Sequence, residues 1–253
     1  MSMLRIESLT KQFGGLRAIE DLSFDVREGE VHSVIGPNGA GKTTLFNLIT
    51  GVYQPTSGRV LLDGQDLSGK AVHQRSALGM SRTFQNLQLC LNMTARENVM
   101  LGGHLGLPGS LFSSLLRLPH LTRADRRCRA RAAELMDYVG LGDYVDRDTT
   151  AMPYGALKRL EIARALAANP KLLLLDEPAA GLNANETAAI EHLIRGLCQE
   201  GVTVILVEHD MKLVMNISAH IVALNYGQKL AEGTAQEIRN HPEVIAAYLG
   251  AAA

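Results

Sequence analysis

Residues 36–44 read Gly-Pro-Asn-Gly-Ala-Gly-Lys-Thr-Thr and satisfy G-x-x-x-x-G-K-[ST] in full. This pattern constrains the fold because it works only between a strand and a helix. Both flanks are present. Val31-His32-Ser33-Val34-Ile35 looks like a buried strand, and Thr43 to Thr50 forms a helical stretch that meets Gly51, a good C-terminal stop. Gly36, Gly39 and Gly41 let the backbone curl, so that the N–H groups of Asn38, Gly39, Ala40, Gly41, Lys42, Thr43 and Thr44 can face an anion. The helix N-terminus adds its dipole. Lys42 can reach β- and γ-phosphates, and Thr43 can offer a hydroxyl to Mg²⁺. The expectation is a nucleoside triphosphate site.

Charge and composition narrow the surroundings of that site. Lys+Arg number 25 against 26 Asp+Glu, which gives no electrostatic case for nucleic acid as a partner. Cys90, Cys128 and Cys198 are isolated, without C-x-x-C spacing, which favours a reducing compartment and inert thiols. The chain does not open on a signal-peptide pattern. It also has no apolar run of the roughly 18–20 residues that a membrane span needs. If the protein works at a membrane, another chain crosses it.

Three β-like runs come first, Leu4–Leu9, Ala18–Val26 and Val31–Ile35. Gly58–Leu62 with Asp63-Gly64 suggests a hairpin, and Met80–Gln85 another strand. From Met93 to about Ala168 the pattern is helical, with breaks at Pro108, Pro119, Gly140 and Pro153. Lys171–Leu175 and Val202–Val207 then read as strands covered on both faces. Between them, Asn183 followed by Glu186 is a helix start, with a stop near Gly201. His220–Ala231 reads as a hairpin around Tyr226-Gly227, and Thr234–Leu249 as a helical tail. The expected fold class is α/β: a nucleotide-binding core from 1–92 and 169–253, with an N-terminal antiparallel β subdomain, and an inserted helical subdomain at 93–168.

Leu172-Leu173-Leu174-Leu175-Asp176-Glu177 carries two acids to the end of an apolar strand, where ligands sit in open parallel sheets. Asp176 fits the metal-side acid, and Glu177 is placed to activate water. Such a strand end is common, and it is the preceding phosphate loop that favours this reading. Gln85 ends a strand at a place suited to sensing a γ-phosphate. His209 follows the strand ending at Val207; it is either a capping residue or a γ-phosphate contact. Met152-Pro153-Tyr154-Gly155-Ala156 opens a helix with apolar residues at Leu157, Leu160, Ile162, Ala163 and Leu166. That turn is either a second anion site or an ordinary helix start.

These motifs occur in the order and spacing of an ATP-binding-cassette (ABC) ATPase, and the resemblance covers essentially the whole chain. Thr10–Leu16, Arg82–Gln85, Asp176–Asn183, Glu208–Met211 and the tail His241–Gly250 resemble the branched-chain amino acid transporter ATPases. The longer insertion, Leu105–Asp125, is closer to the LivG-type subunit. The resemblance implies that Phe13 stacks on adenine, that Thr43, Gln85 and Asp176 serve Mg²⁺, that Glu177 is the general base, and that His209 orients the γ-phosphate and water. It implies two cassettes sandwiching two ATP molecules. Each ATP would lie between one chain's phosphate loop and the other's signature turn, here Pro153, Tyr154, Gly155 and Ala156. The implied partners are a second ABC ATPase subunit, transmembrane permease subunits and, indirectly, a solute-binding protein, at the cytoplasmic face of the membrane.

The chain departs from the family in the signature turn. The usual form has a small hydroxyl residue or Ala, then Tyr-Gly or Gly-Gly, then Gln. Pro153 brings neither hydroxyl nor N–H, and Ala156 removes the Gln. Two rival readings follow: a soluble ABC ATPase not coupled to transport, and a nucleotide-sensing cassette with one degenerate composite site. The apolar stretch Gly109–Leu118 would touch a membrane partner or simply pack as a short helix. The run Arg123, Arg126, Arg127, Arg129 and Arg131 reads as a solvated helix face.

Overall fold

A computed structural model describes residues 2–103 and 119–250. Packing divides the chain into two units, one running to Arg82 and resuming at Lys171, the other spanning Thr83–Pro170. The expected apolar stretch 109–118 and most of the longer insertion lie outside the described residues.

The first unit contains two sheets. The antiparallel one has the order β2-β1-β4-β5, from β1 (Ser2–Phe13), β2 (Leu16–Arg27), β4 (Ser57–Leu62) and β5 (Gln65–Asp66). Its strands alternate buried and exposed residues over most of their length, as a sheet with one wet face should. The other sheet has the order β10-β9-β3-β8-β7-β6, from β3 (Val31–Ile35), β6 (Met80–Arg82), β7 (Leu172–Asp176), β8 (Thr203–Val207), β9 (His220–Asn225) and β10 (Gln228–Gly233). It is parallel from β9 to β6, and only β10 runs antiparallel. Strands β3, β7 and β8 are buried at every residue, which accounts for their unbroken apolar look in the sequence. Of the strand expected over Met80–Gln85, pairing ends at Arg82, and the residues after it are irregular.

Helix α1 (Lys42–Thr50) follows the phosphate loop and drops Leu45, Phe46, Leu48 and Ile49 into a core shared by both sheets. Gly51, at φ +82°, stops it. A short helix α2 (Val72–Ala77) carries Arg75, which is fully buried. Its guanidinium donates to the carbonyls of Leu48 and Ile49, both at 2.8 Å, and to Leu67 and Lys70. The bond to Ile49 O meets a carbonyl in the C-terminal turn of α1, while Leu48 O also accepts from Gly51 N at 3.3 Å.

In the second unit lie α3 (Ala95–Gly102), α4 (Pro119–Tyr138) and α5 (Tyr154–Leu166). Thr94 and Glu97 form a reciprocal capping box at the start of α3. Arg126, Arg127, Arg129 and Arg131 are exposed on α4, and Arg129 pairs with Asp125 one turn away.

The first unit closes with α6 (Ala184–Gln199), α7 (Met211–Ile217), α8 (Ala235–Arg239) and α9 (Pro242–Gly250). Helix α6 buries Ile190, Leu193, Ile194 and Leu197, one face at helical spacing. The tail expected at 234–249 is two helices, α8 and α9, rather than one.

Candidate functional site

Strands β3, β8 and β7 are neighbours, and each feeds one functional loop at its C-terminal end. That is where an open parallel sheet gathers ligands.

The loop after β3 is held open by glycine at two points where nothing else fits. A Cβ on Gly41, at φ +102°, would lie 2.6 Å from the Ala18 carbonyl oxygen; one on Gly36 would lie 2.4 Å from the Leu224 oxygen. Gly41 also serves as the N-cap of α1. Lys42 is buried, and its Nζ donates to Gly36 O at 2.6 Å and Pro37 O at 3.0 Å. Burial pushes the Lys42 amine down, while the nearby Glu177 and Asp176 carboxylates oppose that shift. An anionic phosphate beside this ammonium would repay its desolvation.

Asp176 ends β7, almost fully buried. Arg82 Nη2 donates to its Oδ2 at 2.9 Å, while Arg82 Nη1 donates to Asn47 Oδ1 at 2.6 Å. Glu177 follows in a left-handed conformation, φ +50°, immediately before Pro178. A non-glycine residue held there stores backbone strain of about 1–3 kcal/mol, a device common at functional sites. The turn is fixed by Glu177 N donating to Val207 O at 2.9 Å and Ala180 N donating to Glu177 O at 3.2 Å.

His209 follows β8. Its Nε2 lies 2.8 Å from Glu177 Oε1, so the two expected catalytic groups meet directly. Asp210 caps α7 by accepting from Lys212 N and Leu213 N. Asn183 accepts from Asn185 N and Glu186 N and caps α6. Phe13, at the end of β1, is 41% exposed, stands edge-on to Tyr53 with ring centroids 5.2 Å apart, and has Lys11 Nζ 4.9 Å from its centroid.

Gln85 and the signature turn belong to the second unit. Gln85 is exposed in the irregular segment after β6. Glu161 Oε1, on α5, accepts from Phe84 N at 3.2 Å, which ties that segment to the helix. Burial raises the Glu161 carboxyl above its ordinary range. Pro153 is the N-cap of α5 without a side-chain cap, and Tyr154 is exposed beside it. Ala156 is 1% exposed.

Arg82 and Glu208 stand inside stretches that carry the resemblance, but the sequence assigns them no role; Arg82 pairs with Asp176, and Glu208 accepts from Ala179 N and His209 N. Neither is signalled by any periodic pattern.

The family profile described as ABC transporter matches residues 19–180. The chain belongs to the ABC transporter family. A second profile, for the branched-chain amino acid ATP-binding cassette transporters, matches residues 228–253 of this cassette. The high-affinity branched-chain amino acid transport ATP-binding protein BraF of Pseudomonas aeruginosa is 47% identical over 99% of this chain and 98% of its own. LivG of Escherichia coli, with the same description, is 45% identical over the same shares. The solved structure of the ADP conformation of MJ1267, an ATP-binding cassette of an ABC transporter, superposes with a TM-score of 0.85 at 31% identity and covers 99% of both chains. The cassette is an ATPase of this family.

Proposed function

We propose that this cassette hydrolyses ATP to drive branched-chain amino acid import through separate membrane subunits. The observation that carries the chemistry is the pairing of Glu177 with His209, 2.8 Å apart, on adjacent strand ends beside Lys42. Likeness to BraF and LivG over nearly the full chain supports the solute class.

Backbone groups from Asn38 to Thr44 and the Lys42 ammonium would hold the phosphates, and Phe13 would stack on the base. Thr43, Gln85 and Asp176 offer hard oxygen donors of the kind Mg²⁺ takes; when bound, the ion would neutralise charge developing on the phosphates. Glu177 takes a proton from the attacking water at its carboxylate, and His209 orients that carboxylate through Nε2. A second cassette would supply its signature turn to this chain's ATP, and Pro153, Tyr154, Gly155 and Ala156 would serve the partner's. No helix among the described residues is long and apolar enough to cross a membrane, which fits a peripheral subunit on the cytoplasmic face of permease partners.

The test is Glu177→Gln in the complex assembled with its permeases and solute-binding protein. ATP binding is expected to persist while turnover falls about 10²–10⁴-fold, the usual loss on removing a general base. Leucine, isoleucine or valine should stimulate the wild-type ATPase. Normal cycling by Glu177→Gln would sink the assignment of the base, and stimulation by an unrelated solute alone would sink the substrate.

A further inference from the structure

Glu208 follows β8 and is 3% exposed, although it carries a carboxylate. Its Oε1 accepts from Ala179 N at 2.7 Å. Its Oε2 accepts from His209 N at 2.9 Å and Asp210 N at 3.3 Å. Strands β7 and β8 pair with Asp176 opposite Val207, so the turns that leave them run side by side. One side chain therefore ties the turn after Glu177 to the turn that carries His209. Both turns present N–H groups to it. A carboxylate accepts on both oxygens, whereas an amide can accept on only one and must point a donor at the other.

We infer that Glu208 is a positioning residue for ATP hydrolysis. It holds the turn beginning at Pro178 in register with His209, so that the imidazole stays against Glu177. The two catalytic groups sit on different loops, and Glu177 is in a strained backbone conformation. Their contact needs support that neither loop supplies alone. A shift of the 178–183 turn would pass to His209 through the Glu208 carboxylate, and so couple that turn to the state of the catalytic pair. This rests on the reading of Glu177 and His209 given above.

The experiment is a double-mutant cycle in the complex assembled with its partner cassette, permeases and solute-binding protein, with Glu208→Gln, His209→Ala and both together in this chain. It reads kcat and KM for ATP, affinity for a fluorescent ATP analogue, and melting temperature. Glu208→Gln is expected to lower kcat about ten- to hundredfold, the loss that follows from a buried donor left facing a donor. KM and analogue affinity should stay within about twofold. On the His209→Ala background, Glu208→Gln should cost no more than about twofold further, because its effect runs through His209. A wild-type kcat in Glu208→Gln, a loss of nucleotide affinity that matches the loss of turnover, or losses that multiply across the cycle would each overturn the inference. Wild-type turnover in His209→Ala would instead overturn the reading of His209, and the inference with it. Should Glu208→Gln fail to fold, Glu208→Asp replaces it. The aspartate keeps the charge but falls one methylene short of Ala179 N, and the same pattern is expected.

Discussion

His32 shows how a single side chain can set a pH dependence away from the nucleotide loops. It sits in β3, 2% exposed, and its Nε2 accepts from Arg27 N at 2.9 Å. Burial, with His220 and Arg27 close by, lowers its pKa to about 4; Glu232 opposes the shift, and Glu30 Oε2 lies 3.6 Å from its Nε2. An unfolded histidine titrates near 6.5, so between pH 6.5 and 4 unfolding takes up a proton. Stability should therefore fall as pH drops through 6.5 and level off below 4, by about 3 kcal/mol in all. Denaturant titrations at pH 7 and pH 5 check this, and His32→Gln, which keeps an acceptor but cannot titrate, should flatten the slope. The glycines of the phosphate loop give a second prediction at this scale. Gly41→Ala meets the Ala18 carbonyl oxygen at 2.6 Å, while Gly39→Ala meets open space and carries only the strain of φ +82°. The first should weaken nucleotide binding about tenfold or more; the second, with roughly 1–2 kcal/mol of backbone cost alone, should do less. Equal losses in a nucleotide titration would mean that the close approach at Gly41 is not what the loop depends on.

Among the elements, α1 depends on a residue outside itself. Its C-terminal carbonyls at Leu48 and Ile49 are met by Arg75 from α2. Arg75→Ala would take the guanidinium donor from the Ile49 carbonyl, leave Leu48 O and Leu67 O with one donor each and open a cavity, a loss of about 3 kcal/mol by denaturant midpoint. Arg75→Lys should recover only a minor part, since a single ammonium cannot reproduce the fork. If Arg75→Ala is neutral, α1 is held by its apolar face alone. Helix α5 is uncapped by contrast. Pro153 has no side-chain group for the first N–H donors, and Pro153→Ser should add a cap of about 0.5–2 kcal/mol, measurable as a raised melting temperature. Ala156→Gln is a different kind of change. Position 156 is packed, and a longer side chain there costs about 1–3 kcal/mol through strain.

At the scale of the assembled transporter, the altered signature predicts unequal ATP sites. In the proposed pair of cassettes, this chain's phosphate loop would meet the partner's signature, and this chain's Pro153 turn would meet the partner's ATP. The second site would lack a hydroxyl hydrogen bond. A charge-assisted bond worth about 1.5–3 kcal/mol, if expressed fully in the transition state, slows that site roughly ten- to hundredfold. Glu177→Gln here should then reduce overall turnover far more than the matching change in the partner cassette, and Pro153→Ser should raise the slower site. Equal losses from the two mutants, with no gain from Pro153→Ser, would make the departure neutral.

Much of this was legible in the chain itself, because the signals are local. The phosphate loop needs glycine where φ is positive, and Gly39 and Gly41 are in the sequence. The strands β3, β7 and β8 announce themselves as short apolar runs. The capping pair Asn183 and Glu186 marks the start of α6 within four residues. The acids at 176 and 177 are legible because strand ends of this kind gather ligands. Other features were decided only by tertiary structure. Arg75 and Glu208 look like surface charges in a linear reading, and they are buried because distant backbone groups need partners. Gly36 and Gly41 are demanded not only by their own torsions but by the approach of Leu224 and Ala18 from other strands. The contact between Glu177 and His209 exists because β7 and β8 pair in one register, and no sequence spacing encodes that pairing. Local propensity and periodicity are properties of neighbours along the chain; burial of charge, steric exclusion and the meeting of side chains depend on neighbours in space.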